Sequence, residues 1–209
     1  MFVFSMVLLA APMAGAQGRD NGTTAQAAAP AGPRMVLLVY SEHGMPRDAW
    51  TALFEALRRN LPEAAAKVPA EDANPEFVRG SDSASGDAAG EAITVFLRGD
   101  CVAPFRRMPF PGGERLGWVS RVDGVVLPII HVECTQIGEE ISGRTQDMNQ
   151  QDRTAAMSEA IARVILHEWV HVATQSDRHA SEGITKATFS ANDLLCGDPQ
   201  RRDAILQAQ

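Results

Sequence analysis

Arg163-Val-Ile-Leu-His167-Glu168-Trp-Val-His171-Val-Ala173 is the stretch from which the rest of the chain is read. On a helix, residues four apart share one face about one turn apart, so His167 and His171 can aim both imidazoles at a single ion. Glu168 projects beside them. Two neutral imidazoles with an adjacent carboxylate suit a Zn²⁺ ion, the carboxylate being placed to take a proton from a water on the metal. The flanks are those of a core helix: Met157, Ala160, Ile161, Val164, Ile165, Leu166, Trp169, Val170 and Val172 make it apolar nearly all round. The competing explanation is a pair of core histidines bonded to backbone carbonyls, since two buried rings without partners would be costly.

Working outward, Asp152 or Thr154 serves as N-cap for this helix, which runs to about Thr174, and the preceding segment 137–151 reads as a polar lead-in. After the helix comes Thr174-Gln-Ser-Asp-Arg-His179-Ala-Ser-Glu182-Gly183-Ile184-Thr185, polar and turning. A zinc site wants a third protein ligand. His179 is the first choice, eight residues after His171, because imidazole is a preferred zinc ligand; Glu182, Asp177 and Asp193 are its rivals.

Upstream, Met35-Val-Leu-Leu-Val-Tyr-Ser41 is an apolar run of strand length. A helix follows from Pro46, with Trp50, Leu53, Phe54, Leu57 and Leu61 at helical spacing and Pro62 marking its end. Residues 69–91 read as a surface loop without periodicity. Ala92–Arg98 alternates and is rich in β-formers, which predicts a strand ending near Cys101. Residues 118–122 and 125–132 flank Asp123-Gly124, a pair that favours a type I′ hairpin. Pro128 cannot donate to a ladder, so its strand is expected at a sheet edge or with a bulge. Near the end, Ser190 is a plausible N-cap for a short helix, with a second over 199–209; Phe189, Leu194, Leu195, Ile205 and Leu206 would close the core. Asp193 either orients a metal-bound histidine or supports the helix start at Ser190.

Composition bounds the function. The chain has 209 residues, 45% of them hydrophobic, and a formal net charge of −7, with 19 basic against 26 acidic side chains. No basic block offers a footprint for nucleic acid. Residues 1–16, an apolar run ending in Ala14-Gly15-Ala16, read as a secretory signal peptide. Residues 17–34 read as a disordered tether, which leaves one domain of about 170 residues over 35–209. The expected location is therefore exported, periplasmic or secreted, with no stable membrane insertion once the signal is cleaved. In such a compartment Cys101 and Cys134, each just after a predicted strand, can pair across strand ends and leave Cys196 free, with Cys134–Cys196 as the other pairing.

Taken together, His167-Glu168-x-x-His171, a third His in the following loop and Gly183-Ile184 ahead of a turn resemble the zincin metallopeptidases, as a divergent metzincin-like group. The resemblance covers roughly 156–195. Here the third His follows the second by eight residues instead of six, Thr174 stands where the family has a turning Gly, and Thr185 is the nearest counterpart of the Met in its Met-turn. The resemblance implies an α+β, zincin-like fold: a small twisted mixed sheet packed on the active-site helix, with a small helical C-terminal subdomain. It implies a zinc-dependent hydrolase acting on peptide or protein substrates, in which His167, His171 and His179 bind the metal. Glu168 takes the proton of a metal-bound water and passes it to the leaving amine. Substrate would extend along an edge strand, expected to be that of residues 125–132. For the oxyanion, Tyr40, His131 and His43 are weak candidates, His131 reading better as structural. The alternative is a non-catalytic, zinc-stabilised binding or structural protein of the cell envelope. Glu168 discriminates between the two, because a purely structural site needs no free carboxylate beside its metal.

Overall fold

The structure is a computed structural model, and it describes residues 35–82, 91–102 and 115–195. The signal and tether readings, Cys196 and the helix expected over 199–209, with Ile205 and Leu206, lie outside the described residues. The described residues form a five-stranded mixed sheet and four helices, an α+β arrangement.

Val36–Ser41 (β1), Ala92–Arg98 (β3) and Val125–Glu133 (β5) run parallel at the centre, with Glu76–Arg79 (β2) parallel to β1 at one edge. Gly117–Val122 (β4) is antiparallel to β5 at the other edge, giving the order β2-β1-β3-β5-β4. Alternation decides the faces. Leu37, Val39, Ile93, Val95, Leu97, Ile130 and Val132 are buried under the helices, while Tyr40 and Phe96 on the opposite face are exposed. Across that face Tyr40, Phe96, His131 and Trp118 occupy one cross-strand row, with successive ring centroids 5.8, 5.6 and 4.9 Å apart.

The helix after β1, Arg47–Ala65 (α1), buries Trp50, Leu53 and Leu57 on one stripe. It does not end at Pro62. The missing N–H of Pro62 is opposite the carbonyl of Arg58, and both residues are exposed, so water can serve that carbonyl and the helix runs on to Ala65. The metal-motif helix, Gln150–Thr174 (α3), is buried along every residue from Ala156 to Val172. Its cap is Asn149, whose side chain accepts from Asp152 N–H at 2.9 Å, in place of the expected Asp152 or Thr154. Trp169 at its centre is fully buried and its indole N–H points at Met35 Sδ, 3.1 Å away. Among the described residues no helix is long and apolar enough to cross a membrane.

Three other expectations are corrected. The segment 69–91 contains a strand, β2, because Phe77 and Val78 have the edge of β1 to pair with. The polar lead-in before α3 contains a helix, Cys134–Thr145 (α2), whose Ile137, Gly138, Ile141 and Thr145 lie on one buried stripe. The strand 125–132, expected as the edge along which substrate would extend, is interior, and the edge beside α3 is β4. Of the two places expected for Pro128, the bulge is the one found. Between the pairs Val119↔Ile130 and Arg121↔Val126 three residues of β5, Pro128 among them, stand against Ser120 alone. This irregularity lets proline sit inside the sheet. The hairpin turn is as expected, with φ of 50° at Asp123 and 83° at Gly124. Cys101 and Cys134 form a disulfide joining the segment after β3 to the start of α2.

Candidate metal centre

His167 and His171 project from the last two turns of α3 and are buried, each 6% exposed. His179 comes from the loop beyond and is exposed. The chain turns toward it at Gln175, which takes the left-handed conformation (φ 50°) that the family pattern would give to Gly one position earlier. The side-chain amide of Gln175 holds this turn to β5. Its Oε1 accepts from Val126 N–H and its Nε2 donates to Val126 O, both at 3.2 Å.

The ring nitrogens settle the tautomers by their partners. His167 Nδ1 lies 2.8 Å from the carbonyl oxygen of Ile184, and His171 Nδ1 lies 2.6 Å from that of Ser176. A carbonyl only accepts, so each Nδ1 carries the hydrogen and, in the neutral ring, each Nε2 presents a lone pair. Those lone pairs converge. His171 Nε2 is 3.1 Å from His167 Nε2 and 3.2 Å from His179 Nε2, and ligand atoms of all three rings lie within 4.8 Å of one another. Two lone pairs at 3.1 Å repel unless a cation or a proton lies between them. Burial disfavours the proton: it holds His167 down to about 4 and His171 below the usual imidazole range, only partly opposed by the carbonyl bonds. Tetrahedral coordination with bonds of 2.0–2.1 Å places ligand nitrogens about 3.3 Å apart, close to the two observed spacings. His167, His171 and His179 can therefore hold a metal ion.

Glu168 is 6% exposed and lines the same cleft of about 880 Å³, together with Arg115, Gly117 and Arg121 on the β4 side and Thr188 and Phe189 on the other. Burial pushes its carboxyl up to about 7, with Arg115 and Arg121 pulling weakly the other way. A carboxyl poised near neutrality is suited to taking and returning a proton.

The other candidates fall elsewhere. Asp177 lines the cleft but is outside the histidine cluster, and Glu182 is exposed ahead of the 3-10 turn Gly183–Thr185. Asp193 supports the helix start. Burial alone would raise its carboxyl, but bonds from Lys186 and from the backbone and hydroxyl of Ser190 hold it down at about 2. Ser190 Oγ in turn caps Ala191–Leu195 (α4) at Asp193 N–H. Thr185 is buried in the turn beside His167, where the family's Met was sought. Of the oxyanion candidates, His131 meets Ser120 Oγ at 3.2 Å in the aromatic row, Tyr40 lies in that same row, and His43 Nδ1 donates to Gly99 O. None of the three lines the cleft.

One contributor was not anticipated. Glu63 on α1 accepts from Ile184 N–H at 2.7 Å, and so holds the residue whose carbonyl orients His167. Its only advance signal was an acid on a helix whose neighbouring apolar positions read as core. No family model, no curated protein and no solved structure matches this chain.

Proposed function

We propose that the chain is a zinc-dependent metallopeptidase of zincin-like architecture, with His167, His171 and His179 as ligands and Glu168 as general base. One observation carries this reading. Two imidazoles whose Nδ1–H groups are committed to carbonyls turn their Nε2 lone pairs on a common point, in a cleft that also holds a buried carboxyl raised to about 7. Three nitrogen ligands and room for a fourth partner in an open cleft favour zinc in a catalytic, rather than a closed structural, arrangement. When bound, the ion supplies a Lewis acid that polarises a carbonyl and acidifies water.

The protein's own part is positional. Glu168 accepts a proton from the attacking water and returns it to the departing amine, and its buried carboxyl is suited to both directions. The edge strand β4 lies along the cleft through Gly117, Trp118 and Val119, and its outer side, which pairs with no other strand among the described residues, can align an extended peptide by strand addition. The Cys101–Cys134 disulfide supports placing the protein in an oxidising compartment, in keeping with export.

The test is the zinc content of the purified chain, with hydrolysis of an unstructured protein such as casein on the same samples. One zinc per chain, strongly weakened in His179→Ala and retained without hydrolysis in Glu168→Gln, is the expected result. Zinc without hydrolysis in the wild type would overturn the catalytic reading, and no zinc would overturn the metal site.

A further inference from the structure

Polar groups between α1 and α3, buried at Asn60, Glu159 and Arg163 and exposed at Arg59 and Glu63, form one connected path that ends at a metal-site histidine. It begins at Glu159, whose carboxylate accepts from Arg59 Nη2 at 2.6 Å and from Asn60 Nδ2 at 2.7 Å. Asn60 Oδ1 accepts from Arg163 Nη1 at 3.0 Å, and the same nitrogen lies 3.3 Å from Glu63 Oε2. The other oxygen of Glu63 accepts from Ile184 N–H at 2.7 Å, and Ile184 O receives His167 Nδ1–H at 2.8 Å. The 3-10 turn that carries Ile184 is thus gripped at its amide by α1 and at its carbonyl by the metal-motif helix.

The turn is shaped for this grip. Gly183 has φ of +76°, and a Cβ there would stand 3.0 Å from Glu63 Oε1. A side chain at 183 would strain the backbone and press on the carboxylate at once. The turn is held by its own bonds, Ala180 N–H to Thr185 O and Lys186 N–H to Gly183 O, and by the buried Ile184 side chain. The bond from Glu63 adds the restraint on the Ile184 amide itself, which sets the height at which Ile184 O meets the His167 ring. A ring free to rotate about χ2 loses the aim of its Nε2.

We propose that Glu63 is a positioning residue for the metal site, setting the orientation of His167 through the backbone of Ile184. The inference rests on the three-histidine metal reading. Groups that orient a metal-bound imidazole typically contribute 10–100-fold in metal affinity, and Glu63 acts one bond further out, so about tenfold is expected.

The experiment compares the wild type with Glu63→Ala, Glu63→Asp and Glu63→Gln. Zn²⁺ affinity is read by competition with a chromogenic chelator, and the visible absorption of the Co²⁺ form reports ligand geometry, to which d¹⁰ zinc is silent. Glu63→Gln keeps an oxygen facing Ile184 N–H and should stay within about twofold of the wild type, with an unchanged Co²⁺ spectrum. Glu63→Ala, and Glu63→Asp with its acid one methylene too short, should bind zinc about tenfold more weakly with a shifted spectrum. The aspartate variant keeps a counter-charge for Arg163 and serves if the alanine variant does not fold. Arg59→Ala, at the far end of the path, should lower unfolding stability and leave the spectrum unmoved. Wild-type affinity and spectrum in both Glu63→Asp and Glu63→Ala would overturn the proposal, as would loss in Glu63→Gln equal to that in Glu63→Asp. Failure of the wild type itself to bind Zn²⁺ or Co²⁺ would instead overturn the metal reading beneath it.

Discussion

Gly117 of β4 and Glu168 of α3 touch so closely that a Cβ on the glycine would stand 3.2 Å from Glu168 Cγ and 2.6 Å from Val164 Cγ1. The absence of a side chain at 117 lets the edge strand lie directly on the helix that carries the proposed base. Gly117→Ala should push β4 outward or turn Glu168 aside, at about 1–3 kcal/mol of stability. A displacement of about 1 Å can cost on the order of a hundredfold in kcat. Peptide hydrolysis should therefore fall steeply while zinc content stays at the wild-type level; full activity would show that Glu168 needs no such contact.

The disulfide closes a loop with a sequence separation of 33 residues that contains β4 and β5. The chain-entropy model gives roughly 3–4 kcal/mol for a loop of this size. Urea unfolding with and without reductant, beside Cys101→Ser, should show that loss as a lower midpoint. An unchanged midpoint would mean that the sheet alone holds the two segments.

Metal-free stability should depend on pH through opposing groups: His167 and His171, both held down by burial, on one side and Glu168 on the other. His167 has its folded value lowered to about 4, so between there and the unfolded value near 6.5 the unfolded chain binds more protons and stability falls as the solution is acidified. Glu168 has its folded value raised to about 7, so the folded chain binds more protons above about 4.5 and stability falls as pH rises toward 7. The two slopes offset one another over the shared range. Glu168→Gln removes the second, so the chelated variant should gain stability steadily from pH 4 to 6.5 where the wild type is flatter. Parallel curves for the two proteins would refute this assignment.

Gln175 combines a left-handed backbone with a side chain paired to both polar groups of Val126. Gln175→Gly should relieve the backbone and lose the amide pair; Gln175→Ala should lose the pair and keep the strain. The expected costs are about 1 kcal/mol for glycine and about 2 kcal/mol for alanine. Thermal melts that rank alanine above glycine would contradict this.

How much could be read beforehand differs from element to element for physical reasons. The helix α3, the strand β3 and the Asp123-Gly124 hairpin were legible because each is a local pattern: an apolar helix of many turns, an alternating run, a turn dipeptide. The strand β2 was not, because Glu76–Arg79 offers two apolar residues and its parallel partner is joined through a long crossover with no turn signature. In α2 the stripe Cys134, Ile137, Gly138, Ile141 and Thr145 has helical spacing, but glycine and threonine made it read as polar. Pro128 announced an edge or a bulge without choosing between them; the structure has the bulge, and the edge falls to β4 because β5 pairs with both β3 and β4. In the site, the three histidines were visible by residue type and spacing. Glu63 was not, since it reaches Ile184 across 121 residues and acts on a backbone amide that any residue would supply.

That separation has a consequence for how the protein matures. The two helical histidines are neighbours as soon as α3 forms, but Ile184 is gripped only after α1, made early in the chain, has docked against a segment made near its end. Contacts of such long range form late, because the loop they close must first be paid for in entropy. The geometry in which three histidines could hold a metal ion is thus complete only once these distant segments have docked, and on the proposed reading the uptake of a cation would mark native assembly.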